Sequence, residues 1–150
     1  MFTTILLPVD PDASPEQALE AAIDFSDLHQ GRIIALSVAA PRLFHSTEAI
    51  AARDGAAAET ANRAAALECL AKVAAAAAAR NVPCETVIAQ SHVPSDEIID
   101  AAKRYQCDVI FMATRGRMGV MDTVFRESET QNLLRKTPIP VLVFPRLNEA

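Results

Sequence analysis

DVIFMATRGRMGVMDTVFRES, residues 108–128, begins in an apolar run, passes through a loop spaced by glycines and arrives at a helix-start signal. Asp108–Ala113 (DVIFMA) shows no alternation of apolar and polar residues, which suits a parallel strand covered on both faces. Ser128-Glu129-Thr130-Gln131 has the spacing of a capping box before Leu133 and Leu134, with Arg135 and Lys136 placed for the carboxyl end of a helix dipole. Gly116 and Gly119 let backbone approach an anion, Ser128 offers a hydroxyl at a helix N-terminus, and Arg115, Arg117 and Arg126 add positive charge. The plainer reading is a surface loop whose arginines are solvated or paired with Asp122, Glu127 and Glu129.

Outward from this stretch, four more β-like runs recur at Thr4–Val9 (TILLPV), Arg32–Val38 (RIIALSV), Cys84–Ala89 (CETVIA) and Pro140–Pro145 (PVLVFP). Helix-like segments separate them, and such alternation predicts βαβ units around a parallel sheet. Ser14-Pro15-Glu16-Gln17 reads as an N-cap, a proline at the first helical position and a capping-box partner. Leu19, Ala22, Ile23 and Ser26 share the buried face of that helix, and Gly31 is placed to close it in a left-handed conformation. Residues 42–82 lack proline and are dense in alanine, which predicts one long helix after a mobile lead-in around Phe44–Gly55. Pro8 inside the first run is expected to mark where that strand leaves the sheet.

The length of 150 residues suits one domain, residues 1–150, with its own core. A net charge of −5, from 14 basic against 19 acidic residues, gives no general attraction to nucleic acid or to an anionic membrane surface. Cys69, Cys84 and Cys107 form no C-x-x-C pair and suit a reducing compartment as buried thiols. The amino-terminal MFTTILLPVD has no basic n-region, and no apolar run reaches the ~18 residues of a membrane span. The expectation is a cytoplasmic protein without nucleic-acid or membrane partners.

In an open parallel sheet, ligands bind beyond the carboxyl ends of the strands where strand order reverses. Those tips carry Asp10, then Val38-Ala39-Ala40, then Gln90-Ser91-His92, then Ala113-Thr114-Arg115-Gly116. An aspartate at such a tip closes a turn more often than it binds a ligand. Other chemistries fail on specific residues. No G-x-x-x-x-G-K-[ST] occurs, and the first βα turn, VDPDASP, lacks G-x-G-x-x-G. A phosphoacceptor receiver would use Asp10 and Asp12 but needs an aspartate at the third tip, where Ala89-Gln90-Ser91 stands. No serine or cysteine acquires a histidine base from His29, His45 or His92, and no His/Cys/Asp cluster has metal-ligand spacing. Neither catalytic nor metal-binding residues are expected.

TTILLPVDPDASPEQALEAAIDFS, DVIFMATRGRMG, the ES at 127–128 and TPIPVLVF together resemble the universal stress protein family, in the same order and over nearly the whole chain. The resemblance implies an α/β fold with a five-stranded parallel sheet of order 3-2-1-4-5, helices on both faces, and a homodimer joined through Val141, Leu142, Val143 and Phe144 of the last strand. The ATP-binding branch of that family has a loop G-x2-G-x9-G-[ST]. Here Ala113 stands at the first glycine, Gly116 matches the second, Glu127 stands at the third and Ser128 matches the hydroxyl residue, with ten residues, 117–126, in place of nine. Asp10 matches the aspartate on the adenine side and Val38 a backbone contact to the base. The ligand set so implied is Asp10, Val38, Ala113, Arg115, Gly116, Arg117, Gly119 and Ser128, for an adenine nucleotide or another small anion. The leading expectation is a dimeric, non-catalytic stress-response module with a degenerate nucleotide loop and no cofactor. The alternative is a switch that binds ATP with Mg²⁺ and hydrolyses it slowly.

Overall fold

Pro8 interrupts the sheet on one side only. In the computed structural model, which describes residues 2–11, 15–39, 49–91, 93–114 and 127–145 (backbone alone for 49–59, 114, 127, 128 and 145), β1 spans Thr4–Val9 and keeps Pro8 inside it. The Thr3 carbonyl accepts from the Arg32 N–H and the Thr4 carbonyl from the Asp108 N–H, so odd residues of β1 address one neighbour and even residues the other. Pro8, an even residue, lacks its N–H on the second side. The ladder there runs through Ile5↔Val109 and Leu6↔Ile110, whereas on the first side it continues through Pro8↔Leu36 and Val9↔Ser37. The strand therefore parts from one neighbour and stays with the other, which corrects the expectation that it leaves the sheet at Pro8.

The remaining elements are α1 (Glu16–His29), β2 (Arg32–Ala39), α2 (Ala49–Ala79), β3 (Cys84–Gln90), α3 (Pro94–Arg104), β4 (Val109–Thr114), α4 (Glu127–Lys136) and β5 (Val141–Pro145). All five strands are parallel, in the order β3-β2-β1-β4-β5. The expected strands are present within a residue or so at each end. Side chains alternate between two apolar layers, as a strand's period of two requires. Ile5, Leu7, Val9, Ile33, Ala35, Val109 and Phe111 pack toward Ala18, Ala22 and Ile23 of α1 and Leu70, Val73 and Ala77 of α2. Leu6, Ile34, Leu36, Val38, Ile110 and Met112 face Ile98 and Ala102 of α3 and Leu133 of α4. Helices thus cover both faces.

Helix ends depart from the sequence reading. The residue in the left-handed conformation after α1 is Gln30, φ 53°, not Gly31. The Gly31 N–H bonds to the Ser26 carbonyl and the Gln30 N–H to the Asp27 carbonyl, the two bonds of a Schellman motif. Gly31 is needed for space instead, because a Cβ there would lie 2.4 Å from the Thr3 carbonyl oxygen. The same pair of bonds recurs at Asn81–Val82 after α2 and at Gln106–Cys107 after α3, with φ 57° at Asn81 and 54° at Gln106. At the other end of α1, Pro15 occupies the cap position and its carbonyl accepts from the Leu19 N–H, while Ser14 lies outside the described residues. The long helix begins at Ala49, so residues 49–55, expected as lead-in, are already helical. Helix α4 begins at Glu127, which puts Ser128 in its first turn instead of at the cap.

Candidate functional site

Strand order reverses at β1, which has β2 on one side and β4 on the other, so the cleft of interest opens beyond the carboxyl ends of β1 and β4. The register between those two strands ends at Leu6↔Ile110. Asp10 follows β1 directly and is 3% exposed. Its carboxylate reaches electrostatically to Cys69, a half-buried thiol on α2 whose pKa is raised first by burial and then by the Asp10 charge, against a lowering from Lys72. A carboxylate at a strand tip can accept from N–H and O–H donors of a bound molecule.

Val38 lies on β2 in register with Ala89, and its side chain is buried in the layer facing α3 and α4. With that side chain buried, what it can offer a ligand is backbone. Ala113 lies near the end of β4, in register with Phe144, and its methyl packs against the α1–α2 layer. The structure therefore brings Asp10, the end of β2 and Ala113 to the same end of the sheet. Ser128 enters the first turn of α4. Arg115, Gly116, Arg117 and Gly119 lie outside the described residues, as do Asp12, His92 and Arg126. His29 packs against Phe25 at the carboxyl end of α1, with ring centroids 4.4 Å apart and the planes tilted by 44°, hence toward the opposite end of the sheet.

One residue was missed in its actual role. Glu129, which the sequence offers only as a partner for the loop arginines inside the Ser128–Gln131 capping-box stretch, has its Oε2 accept from the Ser95 backbone N–H of α3 at 3.3 Å. The signal lay in α3. Its cap position is Val93, which has no side-chain acceptor, and Pro94 follows it. A helix opening on Val-Pro must draw its acceptor from elsewhere. Two turns along α4, the Lys136 ammonium lies 3.1 Å from the Asp96 carboxylate.

Among the described residues, no group of three or more His, Cys, Asp or Glu side chains could hold a metal ion, and no helix is long and apolar enough to cross a membrane. Strand β5 lies at the edge of the sheet with Leu142 48% exposed, and Val141, Val143 and Phe144 are half-buried.

Residues 1–145 match the sequence profile of the Universal stress protein family. A universal stress protein of Synechocystis, Sll1654, is 28% identical over 148 residues, covering 97% of this chain and 87% of that protein. The universal stress protein UspA of Lactobacillus plantarum has a similar fold, with a TM-score of 0.78 at 24% identity over 95% of this chain and 97% of that one. So does the universal stress protein of Archaeoglobus fulgidus solved in complex with dAMP, with a TM-score of 0.68 at 17% identity over 95% and 97% of the two chains.

Proposed function

Because the chain belongs to the universal stress protein family, we propose that it is a dimeric, non-catalytic stress-response module of the cytoplasm whose adenine-nucleotide site keeps its nucleoside half and has lost its phosphate half. One observation carries this reading. Helix α4 opens on Glu127, so an acidic residue stands in the turn whose backbone N–H groups would otherwise receive a phosphate. Ala113 stands where the family's loop has its first glycine, a second departure from the loop pattern. Asp10, buried at the reversal point, supports the retained nucleoside half. An adenine nucleotide as ligand class draws support from the dAMP bound by the Archaeoglobus fulgidus relative. Homodimer formation draws support from the place of β5 at the sheet edge, where, among the described residues, no further strand pairs with Val141–Phe144 and Leu142 is exposed.

Calorimetric titration with MgATP, with AMP as the control, tests the reading. Wild type is expected to bind MgATP weakly or not at all, and Glu127→Gly more tightly. A carboxylate ~4 Å from a phosphate oxygen costs on the order of 1 kcal/mol in water, which corresponds to roughly five-fold in affinity. Adding Ala113→Gly and deleting one residue between Gly119 and Arg126 should tighten binding further, and the gain should be greatest at low ionic strength. A low-micromolar dissociation constant for wild type would overturn the reading in favour of an ATP-binding switch.

A further inference from the structure

Two independent contacts tie α4 to the start of α3: Glu129 at the Ser95 N–H and Lys136 at Asp96. They differ in kind. The lysine pair is exposed on both sides and contributes little. The Glu129 contact reaches a residue that is 0% exposed, at a helix terminus whose own cap, Val93, supplies no side-chain acceptor. The Pro94 nitrogen carries no hydrogen, and the Asp96 and Glu97 N–H groups both turn back to the Val93 carbonyl. Ser95 is thus the terminal donor met by another element, and the charge that meets it sits at the favourable end of the α3 dipole. On α4, Thr130 follows and is buried with its hydroxyl 4.0 Å from the Met112 sulfur of β4. The turn bearing Ser128 is therefore held from two directions, by α3 and by β4.

We infer that Glu129 is a positioning residue: by anchoring the first turn of α4 on the N-terminus of α3, it fixes the placement of that turn's backbone N–H groups, the groups that would face an anionic ligand once the obstruction at Glu127 and the longer loop is removed. This rests on the adenine-nucleotide reading above and gives the two acids of that turn opposite roles. Glu127 opposes the ligand by its charge. Glu129, whose charge is taken up by α3, favours the ligand through geometry.

Charge and geometry predict different signs. A glutamine at 129 keeps an oxygen acceptor for the Ser95 N–H and removes the charge, whereas alanine removes both. In the loop-rebuilt background (Glu127→Gly, Ala113→Gly and the one-residue deletion), Glu129→Ala should weaken AMP and MgATP binding by roughly three- to ten-fold, and Glu129→Gln should restore or exceed the parent affinity. In the wild-type background, native-state hydrogen exchange at the Ser95 amide should accelerate in Glu129→Ala and stay near wild type in Glu129→Gln. If both variants tighten binding equally, Glu129 acts as a charge and the proposal is overturned. Equal exchange at Ser95 in the two variants overturns it as well. If the rebuilt loop binds neither nucleotide, the nucleotide reading fails on its own, and exchange at Ser95 still decides whether the anchor exists.

Discussion

Asp108 closes the amino end of the sheet with one carboxylate oxygen. Its Oδ2 accepts from the Thr3 and Thr4 N–H groups, each at 2.9 Å, and from the Thr3 hydroxyl at 3.3 Å, which ties the start of β1 to the start of β4 across 104 residues of chain. Hydrogen bonding to the ionised form, the Thr4 N–H foremost, holds its pKa below the ordinary aspartate value. The sign follows by linkage. A depressed folded-state pKa stabilises the fold above the unfolded value near ~3.9, and that contribution is lost as pH falls through and below it. Asp108→Asn is expected to destabilise by about 1 kcal/mol at pH 7, the small figure reflecting a group open to solvent. Denaturant titrations at pH 7 and at pH 3.5 check this, and the gap between variant and wild type should narrow at the lower pH. A gap that is unchanged or wider at pH 3.5 would show that the charge is not what matters.

At the scale of elements, three helices end in the same way with three residues that are not glycine. Gln30, Asn81 and Gln106 each adopt the left-handed conformation, and each is followed by a buried residue, Gly31, Val82 and Cys107, tucked under the helix it closes. A left-handed L-residue costs roughly 1–2 kcal/mol, of which glycine's extra unfolded freedom returns part. Gln106→Gly is therefore expected to stabilise by about 0.5–1 kcal/mol, a rise in Tm of roughly 1–4 °C by scanning calorimetry. A fall in Tm would mean that the Gln106 side chain makes a contact worth more than the strain. These ends also show what the chain made legible. The strands were readable because continuous Ile, Val, Leu and Phe runs have one stable use in a sheet covered on both faces. Glycine at position 31 drew the closing role to itself, since the usual left-handed residue is glycine, while Gln30 carries no sequence mark of that conformation. Asp10 and Ala113 were readable as strand tips because topology alone sends them to the cleft. The anchor from Glu129 was not, because a cap donated by a different helix leaves no local spacing to recognise.

For the whole molecule, two opposing features bear on the proposed homodimer. The β5 edge offers an apolar strand that, among the described residues, has a partner on one side only, with Leu142 exposed, and each chain carries a net charge of −5. Like charge opposes self-association most at low salt, so the dimer fraction is expected to increase with ionic strength over the micromolar range. Leu142→Lys should shift the mass measured by light scattering toward the monomer and leave the folded-state circular dichroism unchanged. A variant that remains dimeric would place the interface elsewhere. Pro8 has a consequence for energetics as well as for shape. Beyond Leu6 the β1–β4 register stops, and an imino acid at position 8 removes, in covalent structure, a donor that would otherwise extend it. For the proposed nucleotide, a reversal point with fewer interstrand hydrogen bonds is one where less pairing has to be displaced on binding.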